Sequence, residues 1–110
     1  MTDSLDDFVA VADEVALREG ELLGVEREGE QLVLARVDGQ VYALCGTCSH
    51  QAEDLSYGSL EGDVLRCPFH NGGFNVKTGE AVAPPPKTAL AAFDVRVDGG
   101  RIWVSRHLRG

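Results

Sequence analysis

Two short segments of this 110-residue chain carry the residue types that bind soft metal ions. The first contains Cys48 and His50, and sixteen residues separate it from the second, which contains Cys67 and His70. Two residues of extended chain span about 6.6 Å, so the Cys and His of the first segment can reach different irons of a binuclear cluster. If the second segment does the same, two thiolates can hold one iron and two imidazoles the other.

Zinc is the chemical alternative, because Zn²⁺ accepts the same ligand types. Cys45 and Cys48 form a C-x-x-C, and a structural zinc site could combine both with Cys67 and one or both histidines. Zinc ribbons favour C-x-x-C in both segments, whereas the second segment here is C-x-x-H. A redox C-x-x-C fits less well because no βαβ unit surrounds it. A zinc-stabilised binding module remains an alternative, with Cys45 interpreted as a small residue packed near the first loop.

The surrounding sequence predicts an all-β fold, because short β-type runs alternate with turn residues. Asp38-Gly39 gives the strongest hairpin signal, and Asp98-Gly99-Gly100 gives a second. Trp103, in the last predicted strand, is interpreted as a core residue. The predicted strands cover residues 8–12, 21–26, 31–37, 41–44, 64–66, 93–97 and 102–104 and a short strand near Phe74, and residues 13–18 are predicted to form one helical turn capped by Asp13.

The metal-binding segments fall in polar, glycine-containing stretches at residues 45–56 and 67–73. We expect them to form two loops at the tip of a small subdomain, at about residues 45–86, within a single domain that covers residues 1–110. Pro84-Pro85-Pro86 cannot enter a central strand, so this stretch must pass over the outside of the fold.

Charge limits the choice of partners. The net charge is −8, and it is uneven: residues 1–63 carry −12 and residues 64–110 carry +4. Nucleic acid and anionic membranes are therefore excluded as expected partners, whereas basic patches on a redox protein would suit the acidic excess. The N-terminus has no secretory signal and no segment reaches 18 apolar residues, which predicts a cytoplasmic protein.

The pattern C-x-H, sixteen residues, C-P-F-H, followed by Phe74 and Thr78-Gly79, resembles the Rieske-type 2Fe-2S ferredoxins. The resemblance covers residues 8–105 and is greatest to the ferredoxin component of multicomponent aromatic-ring-hydroxylating dioxygenases. It implies an antiparallel β-sandwich with a cluster-binding subdomain formed by two loops. It also implies that Phe74 packs beneath the cluster and that the proline stretch shields it. The family usually has Gly after the second histidine, whereas this chain has Asn71, which tolerates left-handed backbone.

By this resemblance, one 2Fe-2S cluster is bound by Cys48, His50, Cys67 and His70, and the chain has no catalytic residues. The expected role is that of a monomeric electron carrier between an NAD(P)H-dependent flavoprotein reductase and a terminal aromatic-ring dioxygenase, docking transiently with each. Alternatives are the ferredoxin of a di-iron monooxygenase and the small subunit of an assimilatory nitrite reductase. An oxygenase iron site needs two histidines and a carboxylate, and only His107 remains after the cluster ligands.

Overall fold

The computed structural model describes residues 7–46, 55–67, 72–83 and 90–108. For residues 83, 107 and 108 it describes the backbone alone. These residues form two antiparallel sheets, and the prediction of an antiparallel β-sandwich is confirmed. The larger sheet has six strands in the order β1-β10-β9-β4-β3-β2, and the smaller has four in the order β5-β6-β7-β8. The strands are β1 (Phe8–Asp13), β2 (Leu22–Arg27), β3 (Glu30–Val37), β4 (Gln40–Cys45), β5 (Ser59–Glu61), β6 (Val64–Arg66), β7 (Gly73–Asn75), β8 (Ala81–Ala83), β9 (Ala92–Asp98) and β10 (Arg101–Leu108).

The predicted hairpins are confirmed. Asp38 and Gly39 both have positive φ, 53° and 80°, and join β3 to β4 with Val37 paired to Gln40. Two positive φ values in a two-residue loop define the turn whose twist matches that of the flanking strands. Gly99 and Gly100 join β9 to β10 in the same way.

Strand β3 holds the two layers together because it is buried on both faces. Leu32 and Leu34 point into a cluster enclosed by the larger sheet, which also contains Phe93 and Ile102. Val33 and Ala35 point the other way, into a second cluster shared with the smaller sheet. Alternate residues of a strand face opposite sides, so one apolar run supplies both cores.

Arg27, the last residue of the edge strand β2, connects this strand to β10 on the far side of the larger sheet. Its guanidinium is buried, donates to the Ser105 carbonyl oxygen on β10, pairs with Glu30, and lies 4.3 Å from the centroid of the Phe93 ring. A buried cation requires such partners, because leaving it unpaired in the interior is costly. The edge of β2 is thereby fastened to β10.

Two sequence-based expectations need correction. Asp13 precedes a 3-10 turn, Glu14–Ala16, but its side chain makes no capping hydrogen bond, and the turn is shorter than predicted. Trp103 belongs to neither core cluster; it is half-buried, and its indole N–H donates to the Asp98 carbonyl oxygen at 3.1 Å. No helix in the described part of the chain is long and apolar enough to cross a membrane.

Candidate metal centre

Of the four predicted ligands, only Cys67 lies among the described residues. It follows β6 directly, and its side chain is 2% exposed. Cys48, His50 and His70 lie outside the described residues, as do Asn71 and the three consecutive prolines. The described residues alone contain no group of three or more potential ligands that could hold a metal ion. The structure therefore bears on the predicted centre through Cys67 and through the residues from which the loops emerge.

The first loop, residues 47–54, starts and ends at one point on the larger sheet. The Leu55 N–H donates to the Gly46 carbonyl oxygen at 2.9 Å, and the Gly46 N–H donates to the Gln31 carbonyl oxygen at 2.9 Å. A Cβ on Gly46 would lie 3.0 Å from the carbonyl carbon of Leu32, so a side chain there would push the loop base away from β3. The sheet thus fixes both ends of the loop that contains Cys48 and His50.

The second loop, residues 68–71, is closed by the Cys67 N–H, which donates to the Gly72 carbonyl oxygen at 2.7 Å. This bond continues the β6–β7 ladder, in which Leu65 pairs with Phe74. Side chains two residues apart share a face, so Cys67 points the same way as Leu65, into the apolar cluster. A thiol held at the base of a tight hairpin is positioned to act as a fixed ligand.

A third loop, residues 84–89, is closed by the Leu90 N–H, which donates to the Gly79 carbonyl oxygen at 2.8 Å. Gly79 has a φ of +82°, and a Cβ on it would lie 2.2 Å from the Leu90 carbonyl oxygen. Only glycine satisfies both conditions without a shift of the backbone. The Thr78-Gly79 pair was noticed in the sequence, but this closing role was not predicted from it.

The bases of all three loops meet in one hydrophobic cluster. Leu55, Cys67, Phe74 and Leu90 belong to it, and Leu55 and Phe74 are completely buried. Since the loops start from one packed core, residues they carry can be brought to a common site. The described part of the predicted donor set, Cys67, fits a 2Fe-2S cluster, because a buried thiol in an apolar setting suits a metal-bound thiolate whose charge the iron compensates.

Cys45 occupies a different setting. It is the last residue of β4, half-buried, paired across the sheet with Leu32, and its N–H donates to the Ala91 carbonyl oxygen at 2.8 Å. Its backbone therefore belongs to the larger sheet, which agrees with its interpretation as a small residue near the first loop.

Comparison with known proteins gives a consistent result. The family model described as "Rieske [2Fe-2S] domain" matches residues 7–94. The chain is 38% identical over 104 residues to the ferredoxin component of the naphthalene 1,2-dioxygenase system of Pseudomonas aeruginosa, covering 94% of this chain and 97% of that protein. Among solved structures, the chain is similar to one described as a complex of reduced oxygenase and oxidised ferredoxin in carbazole 1,9a-dioxygenase. The TM-score is 0.87 and the sequence identity 36%, and the match covers 94% of this chain and 97% of that one. The ferredoxin of carbazole 1,9a-dioxygenase from Nocardioides aromaticivorans IC177 gives the same TM-score at 32% identity, over 93% of this chain and 100% of that one.

Proposed function

Because this chain belongs to the Rieske 2Fe-2S domain family, we propose that Cys48, His50, Cys67 and His70 hold its cluster. We further propose that it receives electrons from an NAD(P)H-dependent flavoprotein reductase and delivers them to the terminal oxygenase of an aromatic-ring dioxygenase system. The observation that supports the ligand set best is the buried Cys67 thiol, held at the base of one loop in the core from which the other two loops also start. Family membership displaces the zinc-stabilised module considered from sequence.

The chain is an electron carrier and not a catalyst, since relatives that match it over nearly their whole length are ferredoxin components. It carries one Rieske 2Fe-2S cluster, which supplies reversible one-electron storage. The oxidised core with two thiolates and two neutral imidazoles has a total charge near zero, so adding an electron costs less electrostatic work than in an all-cysteine cluster. The ligand set thus suits donors and acceptors of intermediate potential.

The protein's own residues supply position and shielding. Backbone hydrogen bonds at Gly46, Cys67 and Gly79 fix the three loop bases, and the buried Phe74 ring packs in the cluster that contains Cys67. We propose that the whole chain is one Rieske domain, with residues of about 45–86 as its cluster-binding subdomain. We also propose a cytoplasmic monomer that docks transiently with each redox partner, because electron-transfer complexes are typically small.

The first test is composition and spectroscopy. After anaerobic, iron-supplemented expression, the protein is expected to be brown, to contain two irons and two labile sulfides, and to give an average g below the free-electron value when reduced. A colourless protein with stoichiometric zinc would falsify the cluster assignment.

The second test addresses the partners. The protein is added to the reductase and oxygenase components of a naphthalene dioxygenase system from which the ferredoxin is omitted. We expect restored NADH-dependent hydroxylation of naphthalene, with Cys67→Ser as the inactive control. If the wild-type protein is reduced by the reductase but cannot pass electrons to any ring-hydroxylating oxygenase tried, the proposed acceptor class is wrong and the carrier role stands.

A further inference from the structure

Beside the first loop, the structure has an open groove of about 570 Å³ between β2 and a second 3-10 turn, Leu55–Tyr57. Gly24 and Glu26 of β2 line one wall, and Ser56 and Tyr57 line the other. The two walls touch at one point, since a Cβ on Gly24 would lie 2.9 Å from the Ser56 Oγ. We refer to the surface between these two walls as the flank groove.

Tyr57 is the most unusual residue of the flank groove because it is 77% exposed. Its side chain forms no hydrogen bond or ring contact within the described part of the chain. Tyrosine at a surface position of this kind adds a large amphipathic contact area at low entropic cost, which explains its enrichment at protein interfaces. A neighbouring Lys or Arg can also bind the face of its ring.

The flank groove lies at the end of the molecule from which the first loop emerges. Leu32 pairs with Cys45, so the start of β3 and the end of β4 are at the same end of the sheet. Gln31, which lines the groove, accepts the Gly46 N–H at one end of the loop. Tyr57 follows Leu55, at the other end, by two residues. A protein bound in the groove would therefore contact the immediate surroundings of the loop that carries Cys48 and His50.

Charge identifies the kind of occupant. Glu26 is exposed and forms no ion pair with any described residue, and Glu28 and Glu30 lie on the same hairpin. Those two are partly neutralised, by Arg106 and Arg27 respectively. The remaining negative charge disfavours a second copy of this chain, whose net charge is −8, and disfavours an anionic membrane. A protein surface rich in Lys and Arg is electrostatically complementary to it.

We propose that the flank groove is a docking surface for a basic redox protein, with Tyr57 as the contact residue and Glu26 as the steering charge. This inference rests on the proposed function, since it assumes that electrons leave near the first loop. It adds residues outside the ligand loops that select the partner. It also assigns different roles to the two residues. Glu26 acts on the rate of encounter, which salt lowers by screening the charge, whereas Tyr57 acts on the stability of the bound complex.

The test measures electron transfer from the pre-reduced protein, freed of reductant, to cytochrome c, a basic haem protein, in a stopped-flow instrument at salt concentrations of about 20 mM, about 100 mM and about 500 mM, which span weak to strong screening. Glu26→Lys is expected to lower the low-salt rate constant at least about threefold and to flatten its salt dependence, as loss of electrostatic steering predicts. Tyr57→Ala is expected to lower the rate at all three salt concentrations, and Tyr57→Phe, which keeps the ring, is expected to stay near wild type.

Asp13→Lys is the matched control, because it makes the same charge change at an exposed strand position whose side chain caps nothing. The Arg106 N–H donates to the Asp7 carbonyl oxygen, and Arg106 pairs with Glu28, so the start of β1 lies beside the hairpin of the flank groove. Asp13 is at the opposite end of β1, about 16 Å from Phe8. This distance exceeds the screening length of about 10 Å at 0.1 M salt, so the control should change the rate less than Glu26→Lys at that salt concentration.

Oxidation by a small neutral quinone separates docking from cluster failure. If every variant keeps the wild-type visible spectrum and quinone rate, a changed rate with cytochrome c is a docking effect. The proposed surface would be overturned, with the carrier function left intact, by an equal loss of rate in Glu26→Lys and Asp13→Lys at about 100 mM salt. It would also be overturned if Glu26→Lys kept the wild-type rate at low salt or if Tyr57→Ala kept the wild-type rate. A wild-type protein without a 2Fe-2S spectrum would instead overturn the proposed function and this inference together.

Discussion

The two sheets of this molecule are stabilised in different ways. The larger sheet has strands of six to eight residues, two-residue turns of matching twist, and β3 buried on both faces. The smaller sheet has four strands of three residues each. Leu65 and Phe74 lie in this sheet and Cys67 directly follows β6, and all three side chains belong to the core cluster at the bases of the loops. Strands of three residues are at the short end of the usual range, below the commonest length of about five to six, so this sheet gains little stability from its own hydrogen bonds.

This difference indicates that the larger sheet is a scaffold stable by itself, whereas the smaller sheet is a binding region whose stability depends on its surroundings. The larger sheet can form from its own apolar residues and local turns. The smaller sheet needs the scaffold on one side and, we infer, the bound cluster on the other, because metal ligation supplies folding free energy to the segments that provide the ligands.

The largest effect is expected for Cys67→Ser, which should abolish the cluster and reduce the stability of the smaller sheet. The serine hydroxyl cannot replace a thiolate ligand to iron, and the ligation energy is lost. Hydrogen exchange should then show lost protection at Leu65 and Phe74 with retained protection at Leu32 and Leu34. Cys45→Ser, in the larger sheet, is the control and should leave the visible spectrum nearly unchanged. Bleaching by Cys45→Ser and not by Cys67→Ser would mean that the ligand assignment is wrong.

A smaller effect is expected when a core leucine is removed from each sheet. Leu32 and Leu65 are both completely buried, and either change to alanine should cost about 2–5 kcal/mol of unfolding free energy in the cluster-bound protein. In the metal-free protein, we expect the cost of Leu32→Ala to persist and that of Leu65→Ala to fall towards zero, because the smaller sheet is then already loosened. Urea unfolding followed by tryptophan fluorescence measures both. Equal costs in the metal-free protein would show that the two sheets fold as one unit.

The hairpins of the larger sheet were predictable because their signals are local. Asp38-Gly39 and Gly99-Gly100 combine turn residues with flanking apolar alternation, and each pair adopts the positive φ values that such residues allow. The pairing of β4 with β9 was not predictable, since Leu44 and Ala92 are far apart in sequence. An apolar pattern predicts a strand but does not specify which other strand it pairs with. Trp103 was placed in the core from residue type alone, whereas its indole N–H instead bonds to the Asp98 carbonyl oxygen.

The binding region was predictable in its chemistry and less so in its structure. The Cys and His spacing identified the family, but β5 and β8, at three residues each, are too short to show periodicity. Contacts that fix the loop bases, such as the hydrogen bond between Leu90 and Gly79, join residues whose sequence context carries no pairing signal. Of the four proposed ligands, the described residues include only Cys67, so the assignment of Cys48, His50 and His70 stays a prediction.

A third prediction separates backbone strain from loop closure. Gly79 and Gly39 have nearly the same φ, +82° and +80°, but a Cβ on Gly39 would meet nothing within 4 Å, whereas one on Gly79 would lie 2.2 Å from the Leu90 carbonyl oxygen. Gly39→Ala should therefore cost only the strain of a left-handed residue, about 1–3 kcal/mol. Gly79→Ala should cost more, because the base of the loop at residues 84–89 must also open. Thermal unfolding gives both costs, and the rate at which the cluster bleaches in air should rise only for Gly79→Ala. Equal bleaching rates would argue against a shielding role for that loop.

The smallest predicted effect concerns the midpoint potential, which we expect near the low end of the Rieske range, at about −150 mV. High-potential Rieske proteins resemble this chain in their ligands but add a disulfide between the loops and hydroxyl donors to the cluster sulfurs, which stabilise the reduced state. At the corresponding positions this chain has Phe69, Gly72 and Phe74, which offer neither a thiol nor a hydroxyl. Of these, the described Phe74 is completely buried in the core that contains Cys67.

Adding one donor should therefore raise the potential by a calculable amount. A hydrogen bond with a net worth of about 1 kcal/mol in favour of the reduced state corresponds to about 40 mV for a one-electron couple. Phe74→Tyr is expected to produce a rise of about this size in protein-film voltammetry at pH 7. Phe93→Tyr, in the core of the larger sheet, adds the same hydroxyl away from that cluster of residues and should leave the potential within a few millivolts. A wild-type midpoint above zero would contradict a low-potential, NAD(P)H-driven chain. An equal rise in both variants would mean that the whole fold, and not the binding region, controls the potential.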